Sequence, residues 1–383
     1  MGIPMKRIAA VIFHRSLGTS YGERLVTDAR RAAALDLIER IRTAGLDRIF
    51  VVTGADEGRA LEDEGVSAVR ISDGRAFHFG DRLKSLIREE GLDGILYFGS
   101  GSGPLFPEEG IERLLSFVEE RERGGLFNNF YSCDFAAIAG TKDLPSLELP
   151  RFDNPLGFVL ADGGFPCYTL ERSSATDFDI DTPTDIIILK ESGVGGKKTR
   201  AFLESIGLNH PSLADILPLL ADRSARISII GRVNPGTWAR FERAVASRTS
   251  GIIDGRGMRS SPERSGYLLN RILRQDGIRT FFEDLAGSAD GALIDTRPLL
   301  ADRGNLPPAA DRFASDLLRP EEIEDPIWRE FTAAALDSPI PVILGGHSLV
   351  SGGLHLLAEA CWKGRDLPRR LHPEPFDWKK EKV

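Results

Sequence analysis

The chain has 383 residues, 42% hydrophobic and 28% charged, which is ordinary for a soluble globular protein and long enough for two domains with their own cores. A formal net charge of −8 provides no basic footprint, so neither nucleic acid nor an anionic membrane is an expected partner. Three scattered cysteines, Cys133, Cys167 and Cys361, lack metal-ligand spacing and fit a reducing cytoplasm, and the apolar runs are too short for a signal peptide or a membrane span.

Arg7 to Phe13 is a continuous apolar run of the kind buried on both faces of a parallel sheet. The following loop carries Arg15, Gly18, Gly22 and Arg24. Ala33, Leu37, Ile41 and Ala44 then keep helical spacing up to a stop at Gly45. A second strand from Arg48 to Thr53 completes a βαβ unit. Its loop glycines let backbone approach a triphosphate at a helix N-terminus; an ordinary βα loop is the alternative. A helix near Arg82 to Glu90 and a strand from Gly94 to Phe98 come next. The run Gly99-Ser100-Gly101-Ser102-Gly103-Pro104-Leu105 then leads into a helix through Val118, and its amides suit a phosphate. Phe127 to Asp134 precedes a strand at Phe135 to Ala139; it reads either as an acceptor pocket with Asp134 as an acid or as a partly buried loop. Phe158 to Leu160 and Tyr168 to Leu170, around Asp162-Gly163-Gly164, read as a hairpin.

Asp177, Asp179 and Asp181 alternate in sequence, and an extended backbone would throw all three carboxylates onto one face. Thr182, Pro183 and Asp185 open a helix through a capping hydroxyl, a proline at the first position and an acid at the positive end. Such a face can hold a divalent cation. A helix-entry turn with solvated acids is the plainer alternative.

Phe178-Asp179-Ile180-Asp181-Thr182-Pro183-Thr184-Asp185 resembles the closing motif of small nucleotidyltransferases, the molybdenum-cofactor cytidylyl- and guanylyltransferases and 2-phospho-lactate guanylyltransferase. Gly22-Glu23-Arg24-Leu25 resembles the Gly-x-Arg-Leu piece of their loop. The resemblance covers roughly the first half of the chain. It implies a Rossmann-like, GT-A-type fold that transfers a nucleotidyl group from an NTP to a phosphorylated small molecule, with Mg2+ and release of pyrophosphate. It further implies Arg24 and Asp179 as catalytic, Arg15, Gly18, Gly22, Arg24, Gly101 and Ser102 as nucleotide-binding, and Asp179, helped by Asp181 or Asp134, as holding the metal. Two departures stand out. Ala32, Ala33 and Ala34 lie where the family places a lysine, with Arg30 and Arg31 nearby. Ser102 occupies the place of the family's principal magnesium-binding Asp, and a hydroxyl is a much weaker ligand than a carboxylate.

The glycine cluster beyond Glu191 suggests a flexible boundary, giving a nucleotidyltransferase-like domain at 1–192, a linker at 193–200, a C-terminal α/β domain at 201–363 and a charged tail at 364–383. Four short apolar strands in the second half, at Ile227, Gly251, Ala292 and Pro341, alternate with helices and predict a mainly parallel sheet. Polar residues follow each strand: Arg232, Asp254, Arg259, Asp295, Arg297, His347, Ser348 and Ser351. Ligands bind at that edge of such sheets, so these residues are expected to share a crevice. Gly346-His347-Ser348-Leu349 begins like a hydrolase elbow, but Val350 replaces its last glycine. His355 reads as a core residue with a satisfied nitrogen. Three functions follow as expectations: a cytoplasmic nucleotidyltransferase; a catalytically impaired nucleotide or phosphometabolite sensor, which Ser102 favours; or a hydrolase or phosphatase using Ser348 or His347 with Asp295. Self-association into a homo-oligomer stays open.

Overall fold

Apolar runs become the strands of two sheets in the computed structural model, which describes residues 6–66, 69–71, 77–253, 268–301 and 306–365. The first βαβ units run β1 (Ile8–Phe13), α1 (Tyr21–Thr43), β2 (Ile49–Thr53), α2 (Ala55–Asp63), β3 (Val69–Ile71), α3 (Phe79–Glu90) and β4 (Gly94–Gly99). They pair in parallel in the order β3-β2-β1-β4, the Rossmann-like half expected. After α4 (Glu108–Glu120), the strands β5 (Gly124–Phe127) and β6 (Phe135–Ala139) extend the sheet. β6 is antiparallel to both β4 and β5. With β7 (Cys167–Thr169), which is parallel to β5, the sheet is mixed and seven-stranded.

The expected hairpin is absent. Phe158 to Leu160 lies within helix α5 (Leu156–Asp162), where Leu156 and Leu160, one turn apart, are both buried. A three-residue apolar run does not separate strand from helix; burial of one helical face decided it. The extended reading of the acids also fails at its start, because Asp177 closes the short helix α6 (Ser174–Asp177).

Beyond α7 (Pro183–Ser192), α8 (Lys197–Ser205) and α9 (Leu213–Leu220), the second sheet begins. It is built from β8 (Arg226–Gly231), α10 (Pro235–Ala244), β9 (Arg248–Ile253), α11 (Leu268–Asp276), α12 (Ile278–Ser288), β10 (Gly291–Asp295), α13 (Arg297–Ala301), α14 (Ala309–Asp316), α15 (Pro326–Leu336), β11 (Val342–Gly345) and α16 (Gly352–Ala360). Its four strands are all parallel, in the order β11-β10-β8-β9. Asn234 caps α10 by accepting from Gly236 N, with Pro235 at the first position, as its sequence predicts.

α7 ties the sheets together. Ile186, Ile187, Ile188 and Leu189 are all buried, so the helix is apolar on every side, as befits one enclosed by protein. They share one core cluster with Val26 and Ala33 of α1, Ile229 of β8 and Ile343 of β11. α8 is fixed on α1: Asp36 Oδ2 accepts from Thr199 N at 2.8 Å and Thr199 Oγ1 at 2.6 Å, and Oδ1 accepts from Lys198 N at 2.8 Å. This places a carboxylate at a helix N-terminus, where the partial positive charge favours it. Among the described residues, no helix is long and apolar enough to cross a membrane.

His210 carries a pH dependence. Its Nδ1 accepts from Ser212 N at 3.2 Å, and burial pushes its pKa down from 6.5 to about 4. The unfolded chain therefore takes up the proton first. The stabilisation is full above pH 6.5 and is lost as pH falls towards 4, amounting to roughly 3 kcal/mol. Melting curves of the His210→Gln variant should show a shallower loss of stability than wild type across that window; parallel curves would refute the assignment.

Candidate active site

The carboxyl ends of the strands in both sheets open onto the acid motif. Beyond β1 and β4, His14, Arg15 and the loop from Gly99 to Ser102 line a cavity of about 800 Å³. Beyond β8, β10 and β11, Arg232, Arg297 and His347 line a second cavity of about 380 Å³. Arg30, Asp134, Asn154, Asp179 and Asp181 line both, so the two cavities meet at the carboxylates.

The loop after β4 and the acid motif are held together by backbone. Ser102 and Asp179 form an isolated antiparallel bridge, and Ile180 N donates to Gly101 O at 3.0 Å. The approach is close enough that a β-carbon on Gly101 would lie 2.7 Å from both Asp179 Oδ1 and Ile180 O, so glycine is required there. Arg40, reaching across from α1, donates to the carbonyls of Gly103, Pro104 and Phe106 and fixes the following turn. From the other side, Asp185 Oδ2 accepts from Asp181 N at 2.9 Å, Thr182 N at 2.7 Å and Thr182 Oγ1 at 3.0 Å. The predicted cap of α7 thus also sets the conformation of the acid motif.

Asn128 is buried and aims Asp134. It donates through Nδ2 to Asp134 Oδ2 at 2.9 Å and to Thr176 O at 3.0 Å, and accepts from Asp134 N and Phe135 N through Oδ1. Ser102 Oγ donates to Asp134 O at 3.0 Å. Ser102, Asp134 and Asp179 are therefore neighbours, although 77 residues of sequence separate the first from the last.

The carboxylates differ in how they are compensated. Arg30 donates through Nη2 to Asp181 Oδ1 and through Nε to Ile180 O, both at 2.6 Å. Asp177 pairs with Arg172 at 3.2 Å. Asp179 Oδ1 is buried with no hydrogen-bond partner. Burial, reinforced by Asp181 and Asp134, holds the Asp179 pKa well above the usual carboxylate value. Burial pushes Asp134 up to about 8, against the Asn128 hydrogen bond and with Asp153, Asp181 and Asp177 adding to the rise. Two crowded acids, one with a buried oxygen left bare, suit a divalent cation that takes its remaining ligands from substrate oxygens and water. Among the described residues no group of three or more His, Cys, Asp or Glu side chains is arranged to hold a metal by itself.

Other expected residues are placed differently. Arg15, Gly101 and Ser102 line the larger cavity. Gly18, Gly22 and Arg24 line neither. Arg24 is exposed and donates to Thr19 O, while Gly22 is a packing glycine: a β-carbon there would lie 2.6 Å from Phe313 Cβ. Arg30, one turn and a half further along α1, is the arginine that faces both cavities. Its position four residues beyond Val26 on a buried helix was the available sequence signal.

In the second half, Arg232, Arg297, His347, Ser348 and Ser351 do converge on one cavity. Asp295 lies behind it, accepting from Arg232 Nε at 2.7 Å. Asp254 and Arg259 lie outside the described residues. Ser348 Oγ donates to Asp179 O at 2.8 Å, so this hydroxyl clasps the acid motif to the second sheet instead of standing ready as a hydrolase nucleophile. His355 is buried, but its Nε2 makes no hydrogen bond and sits 3.8 Å from Asp177 Oδ2, unlike the satisfied core histidine expected.

No protein-family model matches this sequence, and no curated protein matches it. Solved structures with similar backbone include a cytidylyltransferase from Leptospira borgpetersenii, at 14% identity and TM-score 0.40, covering 54% of this chain and 100% of that one. A nucleotidyl transferase from Methanothermobacter thermautotroptrophicus shares 19% identity at TM-score 0.38, over 53% of this chain and 100% of its own. A 4-diphosphocytidyl-2C-methyl-D-erythritolsynthase from Anaerococcus prevotii shares 16% identity at TM-score 0.34, over 52% of this chain and 100% of its own. Likeness at this level assigns no activity to the chain.

Proposed function

We propose that the protein is a nucleotidyltransferase that moves a nucleotidyl group from an NTP to a phosphorylated small molecule. One observation carries the reading: Asp179, with a bare buried oxygen, is bridged to the glycine loop after β4 at the junction of two cavities. The larger cavity has the volume for a nucleotide, and the backbone of Gly99 to Ser102 approaches it at the edge where parallel sheets bind phosphates.

In the reaction, an oxygen of the acceptor's phosphate attacks the α-phosphorus in line as the bond to the β-phosphate oxygen breaks and pyrophosphate leaves. Asp179 and Asp134 are the residues that would hold Mg2+, which when bound neutralises charge developing on the transferring phosphoryl oxygens. Asp134 takes over the charge that Ser102 lacks, and Asn128 orients its carboxylate. Arg30 keeps Asp181 engaged and adds positive charge between the cavities, while Arg15 lies at the edge of the nucleotide cavity.

Ser102 also supports a second reading, in which nucleotide binds without turnover. A panel of NTPs in thermal melts, each with and without Mg2+, separates the two. Transfer requires that one NTP raise the midpoint and that the rise depend on the metal. A rise indifferent to Mg2+ favours the sensor, and no rise with any NTP refutes both.

A further inference from the structure

Five arginines line the smaller cavity: Arg30, Arg172, Arg232, Arg297 and Arg312. The first four each have an acid partner, Asp181 at 2.6 Å, Asp177 at 3.2 Å, Asp295 at 2.7 Å and Asp316 at 2.7 Å respectively. Arg312, on α14, is different. Its Nε is buried without a hydrogen-bond partner, and no hydrogen bond or ion pair to it exists among the described residues. Burial, and then the like charge of Arg297, hold its pKa below the ordinary arginine value. His347 lines the same cavity with a buried, unpartnered Nδ1. Arg312 is half-buried, and a buried guanidinium nitrogen left without an acceptor is costly unless an anion supplies one.

We propose that the second sheet supplies the acceptor site, in which the phosphate of a small phosphomonoester is bound by Arg312, with Arg297 and His347 at its flanks. The proposal rests on the transferase reading for the word acceptor, but the anion site stands on its own geometry. The same cavity is walled by Asp134, Asp177, Asp179 and Asp181. A phosphate dianion entering beside four carboxylates needs a compensating cation with donors to spare, and Arg312, which feels the charges of Asp316 and Glu23 but makes no hydrogen bond or ion pair among the described residues, is that cation. The second α/β unit adds Arg232, Arg297, Arg312 and His347 to a cavity that the first half lines with both acids and arginines. None of the motifs in the sequence pointed to Arg312.

Inorganic phosphate is the probe, titrated calorimetrically into the full chain without nucleotide. Wild type is expected to bind it, and Arg312→Met to weaken binding by roughly tenfold or more, with Arg312→Lys intermediate. Arg312→Met is expected to fold, because Asp316 keeps its partner Arg297, and circular dichroism checks this. Arg113→Ala, an exposed arginine of α4 that lines neither cavity, should leave phosphate binding as it was. Wild-type phosphate affinity in Arg312→Met, or an equal loss in Arg113→Ala, would overturn the proposal. Phosphate binding that depends on Arg312 in a protein that no NTP stabilises would keep the anion site and discard the transferase.

Discussion

Asp179→Asn is expected to lower nucleotidyl transfer by about 10³-fold while leaving the fold intact and raising the melting temperature in the absence of metal. The two effects have one cause. At Asp179 a buried carboxylate with a bare oxygen faces Asp134 and Asp181, and the resulting strain on its charged form is what holds its pKa up. An asparagine has the same shape and hydrogen-bonded backbone but no charge to desolvate, so the folded state is relieved. The cation site proposed at Asp179 and Asp134 would lose one of its two anionic ligands at the same time, so stability and activity are expected to move in opposite directions. Steady-state assays and melting curves on the same preparation check both. Activity within threefold of wild type would remove Asp179 from the chemistry, and a lower melting temperature would mean that its charge is compensated by some other group.

Asp185→Ala has the largest effect expected on stability. Its Oδ2 accepts from two backbone N–H groups and one hydroxyl at a fully buried position. Alanine leaves Asp181 N, Thr182 N and Thr182 Oγ1 without that acceptor and removes the Asp185 half of the capping box of α7, a loss of about 2–4 kcal/mol. Chemical denaturation measures it. The site should suffer as well, because the same hydrogen bonds fix the backbone of the acid motif two residues from Asp179. NTP-induced stabilisation in the variant should fall even where the protein remains folded. A loss below about 0.5 kcal/mol, the range of an ordinary surface change, would show that the cap is redundant.

Ser348 connects these results to the second sheet. Its hydroxyl donates to Asp179 O, so the loop after β11 helps position the same acid that the glycine loop after β4 approaches. The hydrolase alternative pairs Ser348 or His347 with Asp295. The hydrogen bond gives Ser348 a positioning role.

Local chemistry made much of this protein legible. The apolar runs at Ile8–Phe13 and Arg226–Gly231, the Asn234-Pro235 helix start and the Thr182-Pro183-Asp185 cap are all set by short-range burial, dihedral and capping preferences. β5 escaped notice because Gly124 and Gly125 carry no strand preference, and Phe158 to Leu160 misled because three apolar residues fit either period. The acid motif was recognisable by its own residues. Which cations meet it was not: Arg30 lies 151 residues before Asp181, and Arg312 lies 133 residues after Asp179. Periodicity tells which face of a helix is buried, but not which distant element covers it. Only the packing of α7 between two sheets brings both strand edges to the same carboxylates.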